Sequence, residues 1–209
     1  MKILFQGDSV TDAGRSRKDS YFGYYGCGYP NMVASRLLME EPGKYEFINL
    51  GVSGNRVLNL YSRWRKDCVQ LKPDLISILI GVNDVWHEFA EGNGVPLPRF
   101  EKVLRMLIEE TEEELPGVKF LLMEPFITHG GAVDSNYDTF LSEVRARAEV
   151  MAAVAKDHDI PLIPLQRIFD EALSLAPADY WTLDGVHPTA AGHALIAKNW
   201  IETFRAHFA

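Results

Sequence analysis

Five short apolar runs punctuate the chain, and between them apolar residues recur at helical spacing. Ile3-Leu4-Phe5, Phe47-Ile48-Asn49-Leu50, Leu75-Ile76-Ser77-Ile78-Leu79-Ile80 and the run over 118–123 read as strands. The third is the strongest signal, because near-continuous apolarity suits a central parallel strand covered on both faces. Ile160-Pro161-Leu162-Ile163 is short and carries a proline, which offers no N–H to a ladder, so it belongs at a sheet edge. Helices are predicted from Pro30 to the Pro42-Gly43 break, and over 57–67, 98–114, 134–158, 166–174 and 190–208, with a further one starting near Trp86. Val33, Leu37, Leu60, Trp64, Leu104, Leu107, Phe140, Val144 and Met151 lie on their inward stripes; on the last helix these are Ala194, Leu195, Ile201 and Phe204. The acidic run over 109–114 sets negative charge against a helix C-terminus. From Val10 to Tyr29 no period emerges, and a long loop beside the first strand end is expected.

Strands alternating with helices predict a three-layer α/β domain with a central parallel sheet of about five strands. The 209 residues, 47% of them hydrophobic, suffice for one core. No linker or repeat divides them, so a single domain over 1–209 is expected.

Charge and cysteine content remove several function classes. The formal net charge is -8, no run of Lys or Arg stands out, and Arg15, Arg17 and Lys18, which lie close together, are surrounded by acidic residues. No nucleic-acid footprint follows from that, nor attraction to anionic membranes. No run of about 18 apolar residues is present for membrane insertion, and no apolar leader segment stands at the start, so a cytoplasmic location is expected. Cys27 and Cys68 form no CxxC pair, and His87, His129, His158 and His193 lack metal-ligand spacing. Glycine-rich nucleotide motifs are missing as well. Neither a metal nor a cofactor is expected.

Three strand ends stop on polar signatures: Gly7-Asp8-Ser9, Gly51-Val52-Ser53-Gly54 and Gly81-Val82-Asn83-Asp84. A fourth, Asp184-Gly185-Val186-His187-Pro188, precedes the last helix. Parallel strands bring their C-terminal ends to one rim, where open α/β sheets bind ligands. Together the four segments hold the parts of an acyl-transfer site. Ser9 is the nucleophile and His187 the base; Asp184, three residues upstream, is the orienting acid, with Asp8 as its competitor. Asp8 is better suited to steadying the serine loop by hydrogen bonding. The Ser9 and Gly54 N–H groups and the Asn83 amide form the oxyanion hole, with glycine at 54 allowing close approach of backbone to ligand. Trp86, Trp181 and Arg56 are candidates to line the substrate; plain packing competes for the tryptophans, and bracing of the Gly54 loop is preferred for Arg56. Tyr24, Tyr25 and Tyr29 fit an aromatic wall or an interface between copies.

These segments resemble the four blocks of the SGNH hydrolases, or GDSL esterase/lipase family: Gly-Asp-Ser-Val-Thr-Asp from Gly7, Gly54, Gly-Val-Asn-Asp from Gly81 and Asp-Gly-Val-His-Pro from Asp184, all in order. The resemblance implies a flavodoxin-like α/β/α fold and metal-independent ester hydrolysis. It assigns Ser9, Asp184 and His187 as triad, with Ser9, Gly54 and Asn83 as oxyanion hole. Gly-Val-Ser-Gly-Asn-Arg-Val at 51–57, Gly-Val-Asn-Asp-Val-Trp at 81–86 and Asp-Gly-Val-His-Pro-Thr-Ala-Ala-Gly-His at 184–193 are similar to the family's carbohydrate acetylesterases, bacterial acetylxylan esterases above all. An acetylated sugar, such as a xylo-oligosaccharide, is then the expected substrate. Oligomeric intracellular relatives imply a homo-oligomer. Lysophospholipase, thioesterase or short-chain lipase activity is the alternative within the fold, and a non-catalytic carbohydrate- or partner-binding domain is the alternative of another class.

Overall fold

Residues 1–17 and 23–208 are described by a computed structural model. Five parallel strands, β1 (Lys2–Gly7), β2 (Glu46–Asn49), β3 (Leu75–Leu79), β4 (Lys119–Met123) and β5 (Leu162–Ile163), lie in the order β2-β1-β3-β4-β5. Phe5 pairs with Asn49 on one side and Ser77 on the other, and Leu79 pairs with Met123. The chain builds outward from β1 to β2, then reverses direction past β1 to β3. That reversal opens a crevice between β1 and β3 at their C-terminal ends.

The apolar runs split by strand alternation into two cores. Ile3, Phe5, Leu75, Leu79, Leu121 and Met123 face one side. They pack there against α2 (Tyr29–Glu40), α7 (Leu165–Ala172) and α9 (Ala190–His207), which bury Val33, Leu37, Phe169, Ile196, Trp200 and Phe204. Leu4, Ile76, Ile78, Phe120 and Leu122 face the other, covered by α3 (Val57–Asp67), α5 (Leu97–Glu114) and α6 (Tyr137–Asp157). Ser77 sits in the middle of the most apolar strand without penalty, because the Trp200 indole N–H donates to its Oγ at 2.8 Å. Trp64 on α3 likewise donates to Thr111 on α5 at 2.8 Å.

Several expectations change on folding. The expected loop after Ser9 begins as a single helical turn, α1 (Ser9–Asp12), capped by the Asp8 side chain accepting from Val10 N–H at 3.0 Å. Part of that stretch, residues 18–22, lies outside the described residues. After Gly81 the chain enters α4 (Val82–Glu91) at once, and α8 (Ala178–Trp181) interrupts the loop before the last helix. On α9 Phe204 is buried and Leu195 and Ile201 pack against the core as expected, but Ala194 is exposed, and Gly192, His193, Ile196, Ala197 and Trp200 supply the rest of the buried face. The acidic end of α5 finds partners on both neighbours, Glu114 with Arg65, Glu110 with Tyr61 and Glu112 with His158. Among the described residues no helix is long and apolar enough to cross a membrane.

Candidate active site

At the C-terminal end of β1 the chain turns from strand to helix within one residue. Gly7 permits it, since a Cβ there would collide with Thr11 Oγ1 and the Leu79 carbonyl. Asp8 is buried beneath the turn, and burial pushes its carboxyl up to about 7 against the lowering effect of the Val10 N–H bond and the nearby His187. Ser9 follows, half-buried, at the first position of α1.

Ser9 Oγ lies 2.9 Å from His187 Nε2, across 178 residues of sequence. The other ring nitrogen, His187 Nδ1, is 2.7 Å from Asp184 Oδ2. Asp184 Oδ1 also accepts from the main-chain N–H groups of Val186 at 3.0 Å and His187 at 2.8 Å. Burial raises the Asp184 carboxyl, but these bonds from His187 and Val186 outweigh it and hold its pKa below the usual value. The carboxylate is therefore ionised at neutral pH and fixes both the position and the tautomer of the imidazole. Asp184 and not Asp8 touches the imidazole edge away from Ser9.

The second and third segments meet beside this pair. Gly54 has φ +78, the left-handed region that favours glycine, and an added Cβ would meet nothing within 4 Å. Backbone conformation by itself calls for glycine here. Asn83, buried in the first turn of α4, donates from Nδ2 to the Asn55 carbonyl at 3.2 Å. An amide nitrogen carries two hydrogens, so one remains for a ligand.

Of the side chains expected to line the substrate, Trp86 stands beside the imidazole, its ring centroid 5.7 Å from that of His187. Arg56 is spent on bracing: it bonds Asn59 Oδ1 from Nε and both oxygens of Asn93 from Nη1. Trp181 turns its indole N–H to the Ala176 carbonyl at 3.2 Å and packs on the edge of the α2–α9 core. Tyr29 is fully buried, with its hydroxyl 3.0 Å from Thr11 Oγ1.

Sequence reasoning passed over the residues that hold these loops. Asp12 Oδ2 accepts from Ser53 N–H at 3.0 Å, and its pKa falls because hydrogen bonds from Arg17 and Ser53 outweigh burial. Buried Asn49 donates to the Thr11 and Tyr25 carbonyls and accepts from Gly51 N–H. Asp84 takes Val57 N–H on both oxygens, at 3.1 and 3.2 Å, and burial pushes its pKa up to about 7. A polar residue at a strand end, where the sheet supplies no further partners, was the available signal. His193 accepts from Tyr29 N–H at 3.1 Å, and burial, then the proximity of His187, lowers its pKa to about 4. On the far side of α4 a cleft of about 470 Å³ is lined by Val85, Glu88, Phe89, Leu97 and Arg147. Glu88 there already accepts from Gly94 N–H, and Arg147 pairs with Glu143 and the Val95 carbonyl. Among the described residues no group of acidic, histidine or cysteine side chains is arranged to hold a metal ion.

A hydroxyl beside an imidazole oriented by a carboxylate suits attack on an acyl carbonyl. Comparison with known proteins points the same way. The model of the GDSL-like Lipase/Acylhydrolase family matches residues 5–195. An acetylxylan esterase of Geobacillus stearothermophilus is 35% identical over 207 residues, covering 96% of this chain and 92% of that protein. The crystal structure of Axe2, an acetylxylan esterase from that organism, superposes with a TM-score of 0.87 at 33% identity, covering 97% of this chain and 93% of the other. Its catalytic mutants carry alanine for a serine, for an aspartate and for a histidine three residues after that aspartate. LAE5, an alpha/beta hydrolase enzyme from the metagenome of Lake Arreo, Spain, gives a TM-score of 0.88 at 29% identity, covering 100% and 96%.

Proposed function

This chain belongs to the GDSL-like lipase/acylhydrolase family and is a carboxylic ester hydrolase, and from that premise we propose that it removes acetyl groups from small acetylated carbohydrates such as xylo-oligosaccharides, with Ser9, His187 and Asp184 as its triad. The observation that carries the triad is the unbroken chain of short contacts from Ser9 Oγ through both ring nitrogens of His187 to Asp184. The acetylated-sugar reading is supported by the acetylxylan esterase relatives and by Trp86, whose ring beside His187 offers a stacking surface for a sugar.

In this mechanism His187 Nδ1–H donates to Asp184 and Nε2 accepts the Ser9 hydroxyl proton as Oγ attacks the acetyl carbonyl. Negative charge gathers on the carbonyl oxygen, where the Ser9 and Gly54 N–H groups and the free Asn83 amide hydrogen meet it. His187 then protonates the departing sugar oxygen. Water attacks the acetyl-enzyme through the same base, releasing acetate and restoring Ser9. Asp8 stays beneath as the N-cap of α1 and holds the serine turn.

Acetate release from acetylated xylo-oligosaccharides and acetylated monosaccharides, set against p-nitrophenol release from p-nitrophenyl octanoate, tests the reading. Turnover of the acetylated oligosaccharides well above the octanoate is expected; preference for the octanoate would instead support lysophospholipase or lipase chemistry. Ser9→Ala is expected to melt like the parent and to lose both turnover and labelling by a fluorophosphonate. Undiminished turnover in that variant would sink the triad.

A further inference from the structure

The side chains that tie down the loop carrying Gly54 include Asp12 at Ser53, Asp84 at Val57, just beyond it, and Arg63, whose Nε donates to Asn55 Oδ1 at 2.9 Å. The third opens onto a longer path. Arg63 Nη1 donates to Asp67 Oδ2 at 3.1 Å, and the Asp67 carbonyl accepts from Gln6 Nε2 at 2.7 Å. At the other end, the Asn55 carbonyl accepts from Asn83 Nδ2 at 3.2 Å. Polar contacts therefore run from Gln6 on β1, three residues before Ser9, through Asp67, Arg63 and Asn55 to the Asn83 amide.

Two features set this path apart from ordinary loop bonding. An asparagine amide has two orientations differing by a half-turn, one presenting N–H groups and the other its oxygen. Only an acceptor at the right point selects the first, and the Asn55 carbonyl is that acceptor. Its position depends on where the Asn55 side chain is held. Moreover, Gln6 Oε1 and Arg63 Nη2 are both buried without a hydrogen-bond partner among the described residues. Arg63 therefore turns inward and spends its Nε and Nη1 on Asn55 and Asp67.

We propose that Arg63 is a positioning residue for the oxyanion hole: by holding Asn55 it fixes the main-chain carbonyl that turns the Asn83 amide toward the reacting acyl oxygen. The proposal rests on the reading of Asn83 as an oxyanion donor. Arg63 touches no reacting atom. Its loss loosens a contact made in the transition state and leaves ground-state binding alone, so the effect falls on kcat.

A double-mutant cycle tests this with p-nitrophenyl acetate as the substrate. Arg63→Met and Asn55→Ala are each expected to lower kcat about 10-fold with KM little changed, less than the ~100-fold expected on deleting the amide itself. Neither is expected to lower kcat further in an Asn83→Ala background, because the group they orient is gone. Asn55→Ala keeps the main chain and removes only the grip of Arg63, so it carries the comparison if Arg63→Met fails to fold. Arg63→Lys keeps a charge for Asp67, but one ammonium replaces the fork that serves Asp67 and Asn55 together. It is expected to restore the melting temperature without restoring kcat. Parental kcat in Asn55→Ala, or losses that multiply in full with that of Asn83→Ala, would overturn the proposal. Failure of the underlying reading looks different: Asn83→Ala would then itself retain its kcat.

Discussion

At the scale of single residues, the site depends on which hydrogen points where. Asn83 spends one amide hydrogen on the Asn55 carbonyl and keeps the other. Replacing it with alanine is expected to lower kcat by roughly 100-fold while KM stays within a factor of about two, as measured by steady-state kinetics on an acetyl ester. An effect confined to KM would assign it to substrate binding. Gly54 makes a different demand. With φ at +78 and open space where a Cβ would go, Gly54→Ala meets strain and no collision. It is expected to cost about 1–2 kcal/mol in urea denaturation. Relaxing that strain rotates the peptide and displaces its N–H, so kcat is expected to fall as well.

Elements matter here mainly through the loops they pin to one another. Asp12, at the end of α1, holds the Ser53 N–H in the segment between β2 and α3, and Asp84, in the first turn of α4, holds the Val57 N–H where α3 begins. The contact between α2 and α9 works similarly through His193, which accepts from Tyr29 N–H and stays neutral because burial and then His187 depress its pKa to about 4. The ordinary value is 6.5, so the unfolded chain binds the proton first as pH falls. The stability contributed by neutral His193 is complete above pH 6.5 and is lost as pH falls toward about 4. Asp8 and Asp84 tilt the curve oppositely: raised to about 7, they contribute stability at low pH that is lost as pH rises through that value. The comparison of parent with His193→Gln therefore isolates the histidine, since glutamine keeps an acceptor for Tyr29. Between pH 7 and pH 5 the parent is expected to lose about 2 kcal/mol relative to the variant in urea melts. Parallel curves would remove His193 from the account.

For the molecule as a whole, strand order decides everything about the site. Placing β1 between β2 and β3 sets Ser9 next to the Gly54 loop on one side and Asn83 on the other, and the loop between α8 and α9 brings His187 to the same rim. Apolar runs such as Leu75–Leu79, and the alternation of such runs with helical stripes, made the parallel sheet and its layers legible in the sequence, because burial on both faces demands that pattern. Gly-Asp-Ser, Gly-Val-Asn-Asp and Asp-Gly-Val-His-Pro marked the candidate site for the same kind of reason: reactive groups at strand ends must be followed by turn-forming neighbours. Elsewhere the sequence underdetermined the outcome. It did not reveal that Ala194 faces solvent while His193 is buried, because small residues carry little hydrophobic signal and the choice belongs to the opposing helix. Nor did it show that Arg63, Asp84 and Asn49 turn inward, since a charged or amide side chain reads as surface until the fold brings a partner within hydrogen-bond distance. Local physics, periodicity and turn chemistry, is written in neighbouring residues, and so the sequence by itself determined the elements and the candidate reactive groups. Partners such as Gln6 and Asp67, 61 residues apart, are supplied only by the packed fold, and with them the orientation of the groups that meet the substrate.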